Sequence, residues 1–394
     1  MAHQTGTADN YKHLLTKLRK FITANNWVSQ RWQTSGTGAI IKVQSAPNEA
    51  GSGYAVNDVL NVVQTGGSGA TVRVLTIGGG GNVLTLELVA AGSGYMADSG
   101  VTTSGGTGTG CTIEFEVNGE YELIAKGTGL ESSDEIYIGI KTFSSDVGDY
   151  YNWLLSGFLG FNSDLEFNNQ PGGIAVTPER PRLSLFNDTM KYWFIGDGRR
   201  VIVVAKVSTV YEAAYLGLLN PYLPPSSMPY PLVIAGTHTG YSGERWSIQN
   251  ASHSLGIMVP NCCNTSSTES DILANPRSSC RFWNGEWHGI QHNYNNTGSY
   301  QTDWKALWPY CRYNHARFNN LRSNINDGTY TLLPVILHMN SPSPNIFGEL
   351  DGVFFITGFN NAAENIHTIG GKDYLVVPNV YRSGIFDYCA VRLS

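Results

Sequence analysis

The sequence is poor in charge, because Lys, Arg, Asp and Glu make up only 14% of its 394 residues, where about a quarter is usual. Its net charge is −6, and its basic residues cluster only at Lys17, Arg19 and Lys20. A protein that binds nucleic acid needs a basic surface to neutralise phosphates. The sequence also lacks a run of about 18 apolar residues. We therefore expect no nucleic-acid partner and no membrane span.

Two further patterns are missing. The first residues have no basic segment followed by an apolar run, so we expect no signal peptide. The six cysteines include no Cys-x-x-Cys pair, and in a chain without a secretory signal reduced, buried thiols are the expected state. Disulfide pairing remains an alternative for four of them, which are Cys262, Cys263, Cys280 and Cys311.

Glycine, in contrast, is abundant, and many of the 45 glycines belong to a repeat. The motif Gly-Ser-Gly-Tyr begins at Gly51 and again at Gly92, and a third glycine-rich segment starts at Gly106. Apolar residues alternate with polar ones between these motifs, which predicts short β-strands joined by tight turns. The loop 105–110 precedes a strand and not a helix, so it does not have the form of a phosphate-binding loop. A repeat of this kind builds a rigid surface without catalytic groups.

One amphipathic helix is predicted between Asp9 and Asn25, because apolar residues recur there at spacings of three and four. We consider two interpretations of its apolar face. In the first, the helix packs on its own domain. In the second, it docks on a partner subunit through Tyr11, Leu14, Leu18 and Phe21.

Most of the remaining chain reads as strands. The segment 189–207 has two apolar runs around Gly196-Asp-Gly198, which predicts a β-hairpin. A short helix is predicted over Tyr211–Leu219, and C-terminal strands over 332–339, 352–358 and 374–377. We therefore predict a mainly β protein with three parts. A β-sandwich-like host domain with the N-terminal helix comprises residues 1–35 and 118–236, an inserted Gly-rich β-repeat module comprises 36–117, and a β-rich C-terminal region comprises 237–394. That last region is either separate or continuous with the host domain.

Several segments of the predicted host domain are distinctive. The chain opens Met1-Ala-His-Gln-Thr-Gly-Thr-Ala-Asp-Asn-Tyr11 and continues into a Leu-Leu-x-Lys-Leu helix. Later segments read Asp134-Glu-Ile-Tyr-Ile-Gly-Ile-Lys-Thr-Phe-Ser and Tyr192-Trp-Phe-Ile-Gly-Asp-Gly-Arg-Arg-Val-Ile. These segments resemble virion structural proteins of tailed bacteriophages, in particular proteins associated with the tail or baseplate. The Gly-Ser-Gly-Tyr module is similar to repeats inserted in phage tail and fibre proteins.

The resemblance implies a structural role in the virion, assembled in the cytoplasm of the host cell. It implies symmetric copies of the chain, as a trimer or hexamer, that contact one another and other tail or baseplate proteins. It implies no catalytic residue and no cofactor. One alternative is a receptor-binding or glycan-adhesion protein at the tail tip, for which a host surface glycan is the partner. A second alternative is a tail enzyme that degrades polysaccharide.

An aromatic-rich stretch over 282–313 is the most unusual part of the C-terminal region. Aromatic rings next to Asn, Gln and Arg suit a plain core, a subunit interface or contact with a glycan. The candidate contact residues are Trp283, Trp287, Tyr294, Tyr300, Trp304, Trp308 and Tyr310.

The same region offers weaker chemical patterns. His288 and His292 have the i, i+4 spacing of zinc ligands on a helix, with His315, Glu286 or Cys280 as a third ligand. No glutamate lies between the two histidines, so polar loop histidines are the preferred interpretation. Cys262 and Cys263 show no activating base. A glycosidase pair is open only among scattered carboxylates, which are Glu269, Asp271, Glu286, Asp303, Glu349 and Asp351. We predict no catalytic, cofactor or metal site.

Overall fold

The computed structural model describes residues 1–131, 133–174, 180–237, 254–258, 278–290, 305–310, 325–326, 329–339 and 345–394. Strands account for 54% of the structure and helices for 6%, so the predicted mainly β class is confirmed. The helix is α1, Tyr11–Thr23. Two 3-10 turns lie at Gly79–Gly81 and Phe167–Asn169. Among the described residues, no helix has the length and apolar character needed to cross a membrane.

The chain divides into two compact units. The large unit comprises Met1–Tyr11, Lys20–Gln30 and Ile124–Ser394, and the small unit comprises Lys12–Arg19 and Arg31–Leu123. The small unit contains the whole Gly-rich module 36–117. The division of the chain into three parts stays a prediction, and the compact units differ from it by grouping the C-terminal residues with 124–236.

The first sheet has seven antiparallel strands and belongs to the large unit. Its strands lie in the spatial order β1 Ala2–Ala8, β14 Met190–Gly196, β15 Arg200–Val207, β16 Val210–Leu218, β18 Leu232–Ala235, β19 Ser278–Arg281 and β20 Trp287–Gly289. The predicted hairpin over 189–207 is confirmed by the pairing of β14 with β15. Asp197 stabilises its turn, because the Oδ1 atom accepts a hydrogen bond from the Arg199 backbone N–H at 2.9 Å.

The predicted helix over Tyr211–Leu219 is wrong. This segment forms β16, in which all nine residues are buried. A strand that is covered on both faces has no polar side to alternate with its apolar one. Apart from the buried Glu212, its residues are uncharged and mostly apolar, so the sequence carries no period that separates strand from helix.

Two further sheets and a short ribbon complete the strands outside the Gly-rich module. The second sheet has the order β13 Arg182–Leu185, β12 Tyr150–Phe158, β11 Glu135–Ser145, β10 Tyr121–Thr128 and β2 Val28–Thr34. The third has the order β21 Lys305–Trp308, β24 Leu333–Met339, β25 Asn345–Phe355, β28 Tyr388–Arg392, β27 Lys372–Pro378 and β26 Ile366–Ile369, and β17 Asn220–Pro221 pairs with β25. The ribbon pairs β22 Ile325–Asn326 with β23 Thr329–Tyr330.

One apolar core joins the first and third sheets within the large unit. Ile202 and Tyr215 of the first sheet belong to the same buried cluster as Val353 and Val377 of the third. Apolar side chains from two sheets that share a core are removed from water together, which is the main favourable contribution to folding. The C-terminal strands therefore pack as a continuation of the strands that precede them.

The Gly-rich module forms its own sheet in the small unit. The strand order is β3 Ile40–Val43, β9 Thr109–Val117, β8 Asp98–Ser104, β5 Val59–Val62, β6 Ser68–Ile77 and β7 Val83–Ser93, and β4 Glu49–Ser52 pairs with β9. The alternation predicted for these segments is visible in β5, where Leu60 and Val62 are buried and the residues between and before them are exposed.

The tyrosine of each Gly-Ser-Gly-Tyr motif is buried and binds a strand of the other repeat, where residues 36–77 form the first repeat and residues 78–117 the second. The Cys111 backbone N–H donates to the Tyr54 hydroxyl at 3.2 Å, and the Ala70 N–H donates to the Tyr95 hydroxyl at 3.2 Å. The Tyr95 hydroxyl in turn donates to the Val62 carbonyl at 3.2 Å. Because both hydroxyls are occupied inside the sheet, the repeated tyrosines are structural.

The first glycine of each motif is required by the same packing. Gly51 has φ +59° and Gly92 has φ +60°, in the left-handed region that favours glycine. A Cβ at Gly92 would lie 2.4 Å from the Ser68 carbonyl oxygen, and a Cβ at Gly51 would lie 2.4 Å from the Thr109 oxygen. The two motifs therefore make equivalent close contacts with the backbone of the opposite repeat.

These contacts place the third glycine-rich start at Gly108, two residues after the predicted Gly106. A Cβ on Gly108 would lie 2.5 Å from the Tyr54 ring, just as a Cβ on Gly67 would lie 2.3 Å from the Tyr95 ring. Gly67 and Gly108 are therefore equivalent, and each faces the tyrosine of the other repeat. The module is thus built from two repeats that exchange contacts.

Candidate contact surface at the Trp283 hairpin

The aromatic stretch begins on a β-hairpin of the large unit. β19 and β20 pair antiparallel, with Arg281 opposite Trp287. The Phe282 N–H donates to the Glu286 carbonyl at 3.0 Å and closes the turn. Trp283 therefore lies at the tip of the hairpin, where the strand pairing has ended.

Trp283 is held flat against a buried ring while remaining open to solvent. Its side chain is 48% exposed. Its ring stacks on Phe347 with the centroids 5.4 Å apart and the planes at 9°. Phe347 is buried and also meets Phe282 edge to face at 5.0 Å. Because aromatic pairs in these geometries attract each other, the position of the exposed indole is fixed by the core beneath it.

Polar side chains surround the indole on the same turn. The Asn284 side-chain amide donates to Glu286 Oε2 at 2.9 Å, and the Asn284 Oδ1 atom accepts from the Glu286 backbone N–H at 3.1 Å. His288 Nε2 lies 3.6 Å from the same Glu286 oxygen. We refer to Trp283, Asn284, Glu286 and His288, with Phe347 beneath them, as the Trp283 surface. It combines one open aromatic face with oriented hydrogen-bonding groups.

A second exposed aromatic residue, Tyr222, is hydrogen-bonded to β25, the strand that carries Phe347. The Tyr222 N–H donates to the Phe347 carbonyl at 2.9 Å, and Tyr222 is 50% exposed. Its hydroxyl donates to Glu349 Oε2 at 2.7 Å. Partial burial and this carboxylate raise the pKa of Tyr222 to about 12. Tyr222 is therefore a neutral phenol at physiological pH.

The other predicted aromatic contact residues have different environments. The Trp287 indole N–H donates to the Gly172 carbonyl at 2.8 Å, and the ring is half-buried. Tyr310 is buried and its hydroxyl donates to the Tyr388 carbonyl at 2.6 Å, while Trp308 is half-buried. Three of the candidates lie outside the described residues, namely Tyr294, Tyr300 and Trp304. Among the described candidates, Trp283 is thus the one with an open ring.

The candidate docking residues of α1 are buried. Tyr11, Leu14, Leu18 and Phe21 each have at most 4% of their surface exposed. The Phe21 ring lies 5.7 Å from the Phe194 ring, and the Tyr11 carbonyl accepts a hydrogen bond from the Trp153 indole at 2.9 Å. This burial favours the interpretation that the helix packs on its own chain.

The described residues include only part of the histidine and cysteine patterns noted in the sequence. His288 lies on β20 and not on a helix, so the helical i, i+4 geometry does not apply to it, and His292 and His315 lie outside the described residues. Cys280 is a buried cysteine, as are Cys111 and Cys389. The remaining cysteines, Cys262, Cys263 and Cys311, lie outside the described residues.

Two of the described candidate carboxylates, Asp351 and Glu349, contact neighbouring side chains. Asp351 Oδ2 lies 3.0 Å from Arg200 Nε, and its other oxygen lies 3.4 Å from Arg392. Glu349 accepts from Asn220 at 3.1 Å as well as from Tyr222. The other candidates, Glu269, Asp271 and Asp303, lie outside the described residues.

The strongest electrostatic cluster of the large unit surrounds Glu364. Lys191 Nζ lies 2.6 Å from Glu364 Oε2, and the other oxygen accepts hydrogen bonds from Lys206 and, at 2.8 Å, from the Tyr211 hydroxyl. Partial burial opposes ionisation of Glu364, but the three hydrogen bonds outweigh it and lower its pKa to about 2. Since both carboxylate oxygens are occupied, this cluster ties β14, β15 and β16 to the loop 356–365 between β25 and β26.

Comparison with known proteins adds no assignment to these observations. No protein-family model matches the sequence, and no curated protein matches it. The function of the protein is therefore inferred from the residues of this chain.

Proposed function

We propose that this protein is a structural component of a tailed-phage virion, where symmetric copies assemble into the tail or baseplate. The observation that carries the proposal is a set of large apolar side chains on the surface of the Gly-rich module. Contiguous exposed apolar patches mark interaction sites. Seven such residues are exposed there: Ile41, Val56, Val59, Val63, Leu75, Leu84 and Val89.

Two of these side chains occupy equivalent positions in the two repeats. The Gly38 carbonyl accepts from the Tyr95 N–H at 3.0 Å, and the Gly81 carbonyl accepts from the Tyr54 N–H at 3.0 Å. Ile41 and Leu84 each follow their glycine by three residues, and they are 55% and 51% exposed. An apolar residue that recurs at the same solvent-facing position of both repeats supports a contact role.

The low charge of the chain agrees with this role. Charged residues are depleted at the centres of protein interfaces, while aromatic residues are enriched there. With 14% charged residues and 21 tyrosines, the sequence has the composition expected of a protein whose surface is covered by neighbours. The partners we propose are copies of this chain and other tail or baseplate proteins.

The test is the oligomeric state of the purified protein and its location in particles. We expect a trimer or hexamer by analytical ultracentrifugation. The double variant Ile41→Ser/Leu84→Ser should dissociate it, whereas Val147→Ser, at a fully exposed valine of the large unit, should not. Cryo-electron microscopy of virions should locate the chain in the tail or baseplate. Density at an outer tip would favour the receptor-binding alternative, and absence from particles would contradict both.

A further inference from the structure

We propose that the Trp283 surface binds a neutral saccharide, with a pyranose ring stacked on the open face of the Trp283 indole. The C–H face of a pyranose is apolar and flat, and its rim carries hydroxyl groups. A complementary site needs a fixed aromatic plane and hydrogen-bonding groups beside it. The Trp283 surface supplies both within one hairpin turn and the strand that supports it. This binding site is separate from the assembly role proposed for the module.

The aromatic plane is prepared before a ligand arrives. Phe347 covers one face of the indole at a centroid distance of 5.4 Å, and the 48% exposure of Trp283 leaves the other available. The edge-to-face contact of Phe347 with buried Phe282 prevents the supporting ring from moving away. Preorganisation of this kind removes part of the entropic cost of binding.

The polar groups are oriented but retain hydrogen-bonding capacity. Glu286 Oε2 accepts from Asn284 at 2.9 Å, and a carboxylate has about four acceptor positions on its two oxygens. The side chain of Glu286 is 70% exposed, so its acceptor positions face solvent beside the indole. Vicinal sugar hydroxyls can donate to these positions.

The charge of the surface selects the class of saccharide. Glu286 supplies a carboxylate on the same turn as Trp283, and Glu349 supplies another that accepts from the Tyr222 hydroxyl. The Arg281 guanidinium also reaches this turn, where one of its nitrogens would lie 3.2 Å from a Cβ on Gly285, so two carboxylates and one guanidinium leave these surroundings net negative. An acidic sugar would place its own carboxylate near these groups, and like charges repel. A neutral hexose or N-acetylhexosamine avoids that repulsion and provides hydroxyl donors.

The same carboxylate argues against a protein partner at this place. The centre of a protein interface excludes water, and removing a charged group from water is unfavourable unless it is fully paired. Trp283 shares its turn with the exposed polar residues Asn284 and Glu286. A saccharide leaves the rim of the site solvated, so Glu286 keeps much of its hydration.

The experiment is saturation-transfer difference NMR on the purified full chain with methyl glycosides of glucose, galactose, N-acetylglucosamine and glucuronic acid. We expect at least one neutral glycoside to receive saturation at the protons of its C–H face, and the glucuronide to receive none. Trp283→Ala should weaken binding about tenfold, which corresponds to the loss of an aromatic stacking contact. Trp283→Phe should retain part of the affinity, and Glu286→Gln should weaken it while leaving the fold unchanged.

The matched control is Phe359→Ala, since Phe359 is 46% exposed in the same unit but lies on another loop. This variant should bind as the wild type does. The proposal is overturned if no neutral glycoside binds at millimolar concentration or if Trp283→Ala binds unchanged. Dissociation of the oligomer by Trp283→Ala would also overturn it, because Trp283 would then lie between copies. None of these outcomes affects the location of the chain in virions, which tests the assembly role separately.

Discussion

The Gly-rich module and the Trp283 hairpin use aromatic side chains in opposite ways. In the module, Tyr54 and Tyr95 recur with their glycines and lie inside the sheet, where their hydroxyls form hydrogen bonds with backbone groups. At the hairpin, Trp283 occurs once and lies on the surface with one face uncovered. The recurring aromatic residue serves the fold and the single one is available for contact, so recurrence alone does not identify a binding residue.

The close contacts at the glycines of the module predict that substitutions there will be poorly tolerated. At Gly51 and Gly92 the backbones of the two repeats approach so closely that a Cβ atom would overlap a backbone oxygen of the other repeat. The Trp283 hairpin depends instead on side chains stacked above a core. The two regions should therefore respond to substitution very differently.

Among substitutions that add atoms, the largest effect is expected for Gly92→Ala. The new Cβ would lie 2.4 Å from the Ser68 oxygen and 2.5 Å from the Ala70 nitrogen. The left-handed backbone costs about 1–2 kcal/mol for a residue with a Cβ, and forced displacement in a packed region costs about 1–3 kcal/mol more. Chemical denaturation should show a loss of about 3 kcal/mol in the unfolding free energy of the small unit.

Two other glycines separate these contributions. Gly370→Ala introduces a side chain at φ +60° with no atom within 4 Å, so it isolates the backbone cost of about 1–2 kcal/mol. Gly79→Ala has neither a positive φ nor a neighbour within 4 Å and should be close to neutral. If Gly92→Ala costs no more than Gly370→Ala, the close contact between repeats does not contribute to stability.

The next effect concerns the two repeated hydroxyls. Tyr95→Phe leaves the Ala70 N–H without its acceptor, and Tyr54→Phe does the same to the Cys111 N–H. An unsatisfied buried backbone group costs about 1–3 kcal/mol. Both variants should therefore lose about that much in denaturant unfolding, and Tyr95→Phe should lose the more because its hydroxyl also donates to the Val62 carbonyl. A large loss in one and none in the other would contradict the equivalence of the repeats.

The repeat and the hairpin over 189–207 could be predicted because their signals are local. Alternation, turn glycines and recurrence are properties of neighbouring residues. The strand at 210–218 could not be distinguished from a helix, because burial of all its residues erased the polar half of the pattern. The exact start of the third glycine segment also needed the structure, since it is defined by the tyrosine that Gly108 faces.

The contact surface was only partly predictable for a related reason. Trp283 stood out in an aromatic stretch, but its support by Phe347 joins residues 64 positions apart through the pairing of separate strands. Nothing in the sequence near either residue indicates that they stack. The exposed Tyr222 was missed because it lies in a proline-rich connection, where no pattern distinguishes a contact residue from a turn.

A smaller effect on stability, with a characteristic pH dependence, is expected at Glu364. Its pKa is lowered to about 2 in the folded protein. The ionised carboxylate therefore contributes stability above the ordinary carboxyl range near pH 4.5, and this contribution is lost as the pH falls toward about 2. Glu364→Gln should lower the unfolding free energy at pH 7 by about 1–2 kcal/mol, after allowance for solvent screening.

The pH profile distinguishes this cluster from an ordinary surface charge. Unfolding measured between pH 7 and pH 2.5 should show the difference between wild type and Glu364→Gln shrinking with acid. Glu131→Gln, at an exposed residue of the same unit, should have the same stability as the wild type throughout. A constant difference for Glu364→Gln across the range would mean that the hydrogen bonds, and not ionisation, carry the effect.

The smallest effect sharpens the comparison between the two aromatic regions. Trp283→Ala removes a half-exposed ring whose specific contact with Phe347 is worth about 1 kcal/mol. Tyr95→Ala removes a buried ring, and loss of a buried aromatic side chain costs about 3–5 kcal/mol. Thermal and denaturant unfolding should therefore rank the two variants clearly. A loss of stability at Trp283 as large as that at Tyr95 would mean that the indole is a structural residue like the repeated tyrosines. The exposed face of the Trp283 ring argues against this, because a ring that mainly stabilises the fold is buried on both faces, as Tyr95 is.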